Sequence, residues 1–150
     1  LDEADASSKR HKNNEALGPL DGIPMAWKDL FDIEGYRTTC GSSILKNSKL
    51  VSEDATVVRN CKNVGMVVLG KVNLTEFAFS GVGINPHFGT PKNAYSNQKQ
   101  FIPGGSSSGS AVAVASGLSP IAIGTDTGGS VRIPASMNGF SISKGLLTIK

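Results

Sequence analysis

Apolar positions along this chain fall into short blocks set apart by glycine, proline and asparagine, and the spacing inside each block predicts its element. In "IPMAWKDLFDIEG" (23–35) Ile23, Met25 and Trp27 alternate with Ala26 and Lys28. A period of two predicts a strand, and Gly35 ends the segment. In "SEDATVVRNCKNVG" (52–65) Val57, Val58, Cys61 and Val64 recur at helical spacing, with Asp54 as N-cap and Gly65 as the C-terminal stop. "MVVLG" (66–70) is a short, uniformly apolar strand, and "NLTEFAFSG" (73–81) opens on Asn73 as the cap of a short helix. "SGSAVAVASG" (108–117) is a helix of small residues suited to close packing, and "SPIAIG" (119–124) is a second apolar strand. Residues 1–16 are polar and suit an exposed helix, 17–24 are turn-rich, and 85–103, with three prolines, form a long loop. A helix, a buried strand and a further helix in succession argue for a layered α/β domain.

Composition narrows the class. The 150 residues are 39% hydrophobic and 18% charged, as in an ordinary globular domain. The net charge of +3 comes from Lys9, Arg10, Lys12 and scattered lysines. No Arg/Lys stripe interleaved with aromatics supports a nucleic-acid surface. No apolar run reaches the length of a membrane span and the start is unlike a signal peptide, so the expected location is cytoplasmic. Cys40 and Cys61 form no CxxC pair and suggest neither a zinc site nor a disulfide framework.

The candidate chemistry sits in two glycine–serine loops. In "PGGSSSGS", Gly105–Gly109 formally match the GxSxG nucleophile elbow, which makes Ser107 a candidate nucleophile. That motif needs a preceding strand and an acid and a histidine downstream, and no histidine follows His87. No phosphate-binding pattern fits, and the flexible-linker reading is the weaker one because linkers rarely run straight into an ordered Ala/Val helix. The second loop, "IAIGTDTGGS", follows an apolar strand. Its successive N–H groups suit an oxyanion hole and its last residue, Ser130, suits a nucleophile, although a plain helix cap reads as well from the loop alone. Lys28, in an apolar strand beside Asp29, is either a surface ion-pair partner or a desolvated base. The SxxK spacings Ser43–Lys46 and Ser141–Lys144 lack the companion motifs that would give them meaning.

"GPLDGIPMAWKDLFDIEG", "PGGSSSGSAVAVASG" and "IAIGTDTGGSVRIPAS" together resemble, in order, the three hallmark segments of the amidase signature family, from about Leu17 to about Gly139. The resemblance implies an α/β fold, a mixed β-sheet covered by helices on both faces. It implies a Ser–cis-Ser–Lys triad of Lys28 as base, Ser106 as relay within a cis peptide and Ser130 as acyl-forming nucleophile. Backbone N–H groups around Thr127, Gly128 and Gly129 are the implied oxyanion hole. The implied reaction is cleavage of a carboxamide C–N bond in a small-molecule amide through an acyl-enzyme, with no metal or organic cofactor and no direct nucleic-acid or membrane partner; a homo-oligomer is compatible with it. The wording "LTEFAFSGVGINPHFGTP" is nearer to general amidases than to the glutamine-hydrolysing subunit of the tRNA-dependent amidotransferase, which typically carries "MDEFAMGSSTENS" there. Departures set in after Gly139: residues 140–150 form an atypical tail, and the chain reads as the incomplete N-terminal part of one amidase domain. A catalytically silent fragment is the remaining alternative.

Overall fold

A computed structural model of the chain describes residues 1–139; the tail, with the Ser141–Lys144 pattern, lies outside the described residues. Helix α1 (Asp2–Lys12) is followed by strand β1 (Pro24–Lys28), helix α2 (Thr56–Asn63), strand β2 (Val67–Val72), helix α3 (Ser108–Ala115), strand β3 (Ile121–Ile123) and helix α4 (Arg132–Met137). The strands form one sheet in the order β2-β1-β3. Both pairings are parallel, Met25 lying opposite Val68 in β2 and Ile121 in β3. The mixed sheet that the resemblance implies is, among the described residues, parallel throughout. Each successive pair of strands is joined through a helix, and such crossovers return the chain in the same direction. The first crossover steps one way along the sheet and the second steps back across β1. Their helices consequently cover opposite faces.

The alternation in β1 sorts its side chains between those faces. Met25 and Trp27 point into a core with Phe31, Ile33, Val58 of α2 and Met66, where Trp27 and Phe31 meet edge to face at 5.5 Å. Ala26 and Lys28 point to the other face, toward the start of α3. The strand ends at Lys28, where the chain turns, rather than running on toward Gly35.

Two local expectations are corrected. Asp54 is not the cap of α2. Ala55 is, and the Asp54 carboxylate accepts from Glu34 N–H (2.8 Å) and Lys62 Nζ (3.0 Å) instead. Residues 73–81 contain only a 3₁₀ turn, Glu76–Ala78, because Phe77 and Ala78 adopt left-handed backbone (φ 49° and 58°) that no α-helix continues. Asn73 does not cap a helix; its side chain accepts from Leu74 N–H and donates to Gly89 O. Helix α1 is mostly exposed, as its polar sequence predicts, and it is tied to the domain at a few points. Ser7 is buried, Arg10 grips Asp21 with two hydrogen bonds, and Glu3 accepts from Val68 N–H at 2.7 Å. No helix among the described residues is long and apolar enough to cross a membrane.

Candidate active site

Lys28 is the last residue of the central strand and is fully buried. Its Nζ donates to Ser106 Oγ at 2.7 Å, to Ser107 Oγ at 3.0 Å and to Thr125 Oγ1 at 2.6 Å. Every partner is an uncharged hydroxyl, so nothing in direct contact neutralises an ammonium. Burial pushes the lysine down to about 8, against a weaker pull in the other direction from the Asp126 carboxylate. The surface ion-pair alternative for Lys28 therefore fails: its neighbour Asp29 pairs with Lys71, and Lys28 faces inward.

The first glycine–serine loop is built by backbone. The Gly105–Ser106 peptide is cis. Gly105 N–H donates to Gly81 O at 2.8 Å, and Ser106 O accepts from Thr75 N–H at 3.0 Å, so residues 75–81 hold this peptide at both ends. Gly105 has to be glycine, since a Cβ there would lie 2.7 Å from both Gly83 N and Thr75 Oγ1. Ser106 and Ser107 are both buried, but their hydroxyls are placed differently. Ser107 Oγ donates to Thr125 O and accepts from Thr125 N–H, both at 3.3 Å, while also accepting from Lys28. Its proton is committed to a carbonyl. Ser106 Oγ, by contrast, has Lys28 as its one hydrogen-bond partner among the described residues. Among the described residues no strand runs directly into the loop, so the nucleophile-elbow geometry expected for Ser107 is not formed.

The second loop is organised by Asp126. One carboxylate oxygen accepts from Gly129 N–H at 2.8 Å, and the other accepts from Val131 N–H (3.1 Å) and Arg132 N–H (3.2 Å). The Arg132 guanidinium closes on the same carboxylate with two bonds and holds it far below the usual carboxylate range. Gly129 N–H, one of the expected trio of oxyanion donors, is thus engaged by that carboxylate. The N–H groups of Thr127 and Gly128, on the exposed side of the turn, have no acceptor among the described residues. Ser130 is half-buried, and its carbonyl accepts from Ser107 N–H at 3.1 Å, which fixes the two loops against each other. Of the residues expected to act together, Lys28 and Ser106 are joined by a hydrogen bond, and among the described residues none joins Ser106 Oγ to Ser130 Oγ.

Thr125 is a site residue that motif reading passed over. Its signal lies in the sheet register: Trp27 pairs with Ile123, so Lys28 is carried to the level of the residues that follow β3. A threonine two positions beyond a strand partner of the lysine's neighbour is the residue within its reach.

The chain is similar to known proteins over nearly all its described length. It is 48% identical over 141 residues to a glutamyl-tRNA(Gln) amidotransferase subunit from Cupriavidus necator, covering 94% of this chain and 27% of that protein. It superimposes on native peptide amidase from Stenotrophomonas maltophilia with a TM-score of 0.83 at 40% identity, covering 93% of this chain and 29% of the other. A protein from a vestigial complex linked to the origins of an s-triazine catabolic enzyme gives a TM-score of 0.86 at 43% identity, with 91% and 30% covered. The chain therefore spans less than a third of the length of these relatives. Residues 1–141 match the sequence profile described as Amidase, and the chain belongs to the amidase family.

Proposed function

We propose that the whole protein hydrolyses carboxamides through an acyl-enzyme formed on Ser130, with Lys28 as base and Ser106 as relay. One observation carries this reading: the fully buried Lys28 Nζ stands 2.7 Å from the equally buried Ser106 Oγ. Neutral Lys28 accepts the Ser106 proton as Ser106 accepts that of Ser130. Ser130 Oγ then bonds to the amide carbonyl carbon, and the negative charge on the carbonyl oxygen falls to Thr127 and Gly128 N–H. The C–N bond breaks as the relayed proton passes to the leaving nitrogen. Water attacks the acyl-enzyme, releasing a carboxylic acid and restoring Ser130.

The test is ammonia release from simple carboxamides, paired with fluorophosphonate labelling. Labelling and turnover lost in Ser130→Ala, with labelling retained in Ser107→Ala, supports the reading. An unlabelled, inactive yet folded protein would mean a catalytically silent member of the family.

A second reading has its own support. The 48% identity to an amidotransferase subunit supports glutamine as the amide and a partner that takes up the ammonia. Ammonia release from glutamine but not from other carboxamides selects it.

A further inference from the structure

We infer that Thr125 is a positioning residue for the base: its side-chain oxygen holds one N–H of the neutral Lys28 amine, which leaves the lone pair facing Ser106. The inference rests on the amide-hydrolase reading above.

The valences of the amine set the problem. Lys28 Nζ lies 2.6 Å from Thr125 Oγ1, 2.7 Å from Ser106 Oγ and 3.0 Å from Ser107 Oγ. A charged ammonium has three N–H donors and no acceptor, one donor for each oxygen. A neutral amine keeps two N–H groups and gains a lone pair, which needs a hydroxyl with a proton to give. Ser107 is not that hydroxyl, because its proton goes to Thr125 O. The lone pair is left to Ser106 or to Thr125, and it draws a proton from the relay only when it faces Ser106. Ser106 is fully buried, and Nζ is its one hydrogen-bond partner among the described residues. A lone pair turned to Thr125 would leave the Ser106 proton buried and unpaired, which is the costlier arrangement. Thr125 therefore takes the part of acceptor. When the Ser106 proton moves to Nζ, the amine again has three N–H groups for the same three oxygens.

The scaffold holds Thr125 for this part through its main chain. Its N–H donates to Ser107 Oγ and its carbonyl accepts from that same hydroxyl, both at 3.3 Å. Two residues earlier, Ile123 O accepts from Ser110 Oγ of α3 at 2.8 Å, and Ile123 pairs with Trp27, the neighbour of Lys28. The backbone is fixed on both sides of Gly124, and a β-branched side chain on fixed backbone has few rotamers to choose from. The charged groups nearby lie elsewhere. Asp126, whose charge reaches Lys28, is closed on by Arg132 of α4; Asp29 pairs with Lys71 of β2; α3 carries no charged side chain.

The test is the pH dependence of fluorophosphonate labelling for the whole native protein, Thr125→Val, Thr125→Ala and Thr125→Ser, with thermal unfolding followed in parallel. Valine keeps the branched shape and deletes the oxygen. The charged amine then loses one of three acceptors, a larger loss than that of the neutral amine, so the midpoint of labelling should fall by about one pH unit. The plateau rate should fall roughly ten-fold or more, because the amine is free to turn its lone pair away from the relay. Thr125→Ser should restore both. Thr125→Ala makes the same comparison where the second methyl of valine prevents folding. An unmoved midpoint in the variant lacking the oxygen, whatever its plateau, would overturn the inference and assign Thr125 to packing, with amide hydrolysis left intact. A serine variant no better than the one lacking the oxygen would overturn it too. A folded native protein that is not labelled at any pH would remove the amide-hydrolase reading and this inference with it.

Discussion

Lys28 Nζ and Ser106 Oγ lie 2.7 Å apart across 78 residues of sequence, with neither side chain reaching solvent. The lysine is carried there by the pleat of the central strand and the serine by a loop pinned through its backbone. The neighbours of Nζ are three hydroxyls, a set that matches three N–H donors when the amine is charged. When it is neutral, two N–H groups remain and one lone pair is left. Ser107 has already given its proton to Thr125 O, so it stays an acceptor, and the lone pair is free to receive the proton of Ser106.

Replacing Lys28 with Met removes the base without opening a large void. The expected loss in kcat is about 10²–10⁴-fold, the usual worth of a positioned proton acceptor. Steady-state kinetics on a simple carboxamide measure it.

The same lysine makes stability depend on pH. In the unfolded chain it titrates near 10.5, and in the folded protein it is pushed down to about 8. Below pH 8 both states carry the proton and the burial penalty is fully present. Between pH 8 and 10.5 only the unfolded state keeps the proton, so the folded state gains as pH rises, by at most about 3 kcal/mol. Urea unfolding at pH 8 and pH 10 should show this gain in the native protein and not in Lys28→Met.

Asp126 acts at a distance on Lys28 and in contact on the turn. Its charge raises the lysine's affinity for a proton, so Asp126→Asn should move the acid limb of kcat/KM to lower pH. It also loosens the hold on Gly129 and Arg132, and a drop in kcat of about 10–100-fold is expected from misplaced oxyanion donors. A pH–rate profile separates the two effects.

Gly109, in the first turn of α3, lies against the backbone of Asn73, and a Cβ there would come within 2.6 Å of Asn73 O. The Gly109 N–H also donates to that carbonyl. Gly109→Ala should cost about 1–3 kcal/mol of stability through a clash with main chain that cannot rotate away, read as a lower urea midpoint.

What was legible in the sequence was local. The alternation through Met25, Trp27 and Lys28 gave a strand and put the lysine on the face away from the core. The Ala/Val run gave α3, and the two Gly-Gly-Ser steps marked the loops that converge on the lysine. The rest depends on non-local contacts or on side-chain competition for backbone. Glu3 reaching Val68 binds α1 to the sheet edge across 65 residues, which no local period encodes. Asp126 taking Gly129 N–H follows from a carboxylate folding back on its own loop, so glycines that looked equivalent as donors are not. Phe77 and Ala78 have ordinary helical propensity, yet the carbonyl of Cys40 and the peptide at Gly105 set their loop to a left-handed path.

The most direct test of the lysine–serine relay is the pH dependence of the rate at which a fluorophosphonate labels Ser130, native protein against Lys28→Met. The native rate should rise to a plateau with a midpoint near pH 8, following loss of the Lys28 proton, and Lys28→Met should label far more slowly with no such midpoint. Labelling of Lys28→Met at the native rate, with the native pH profile, would contradict the assignment of Lys28 as the base.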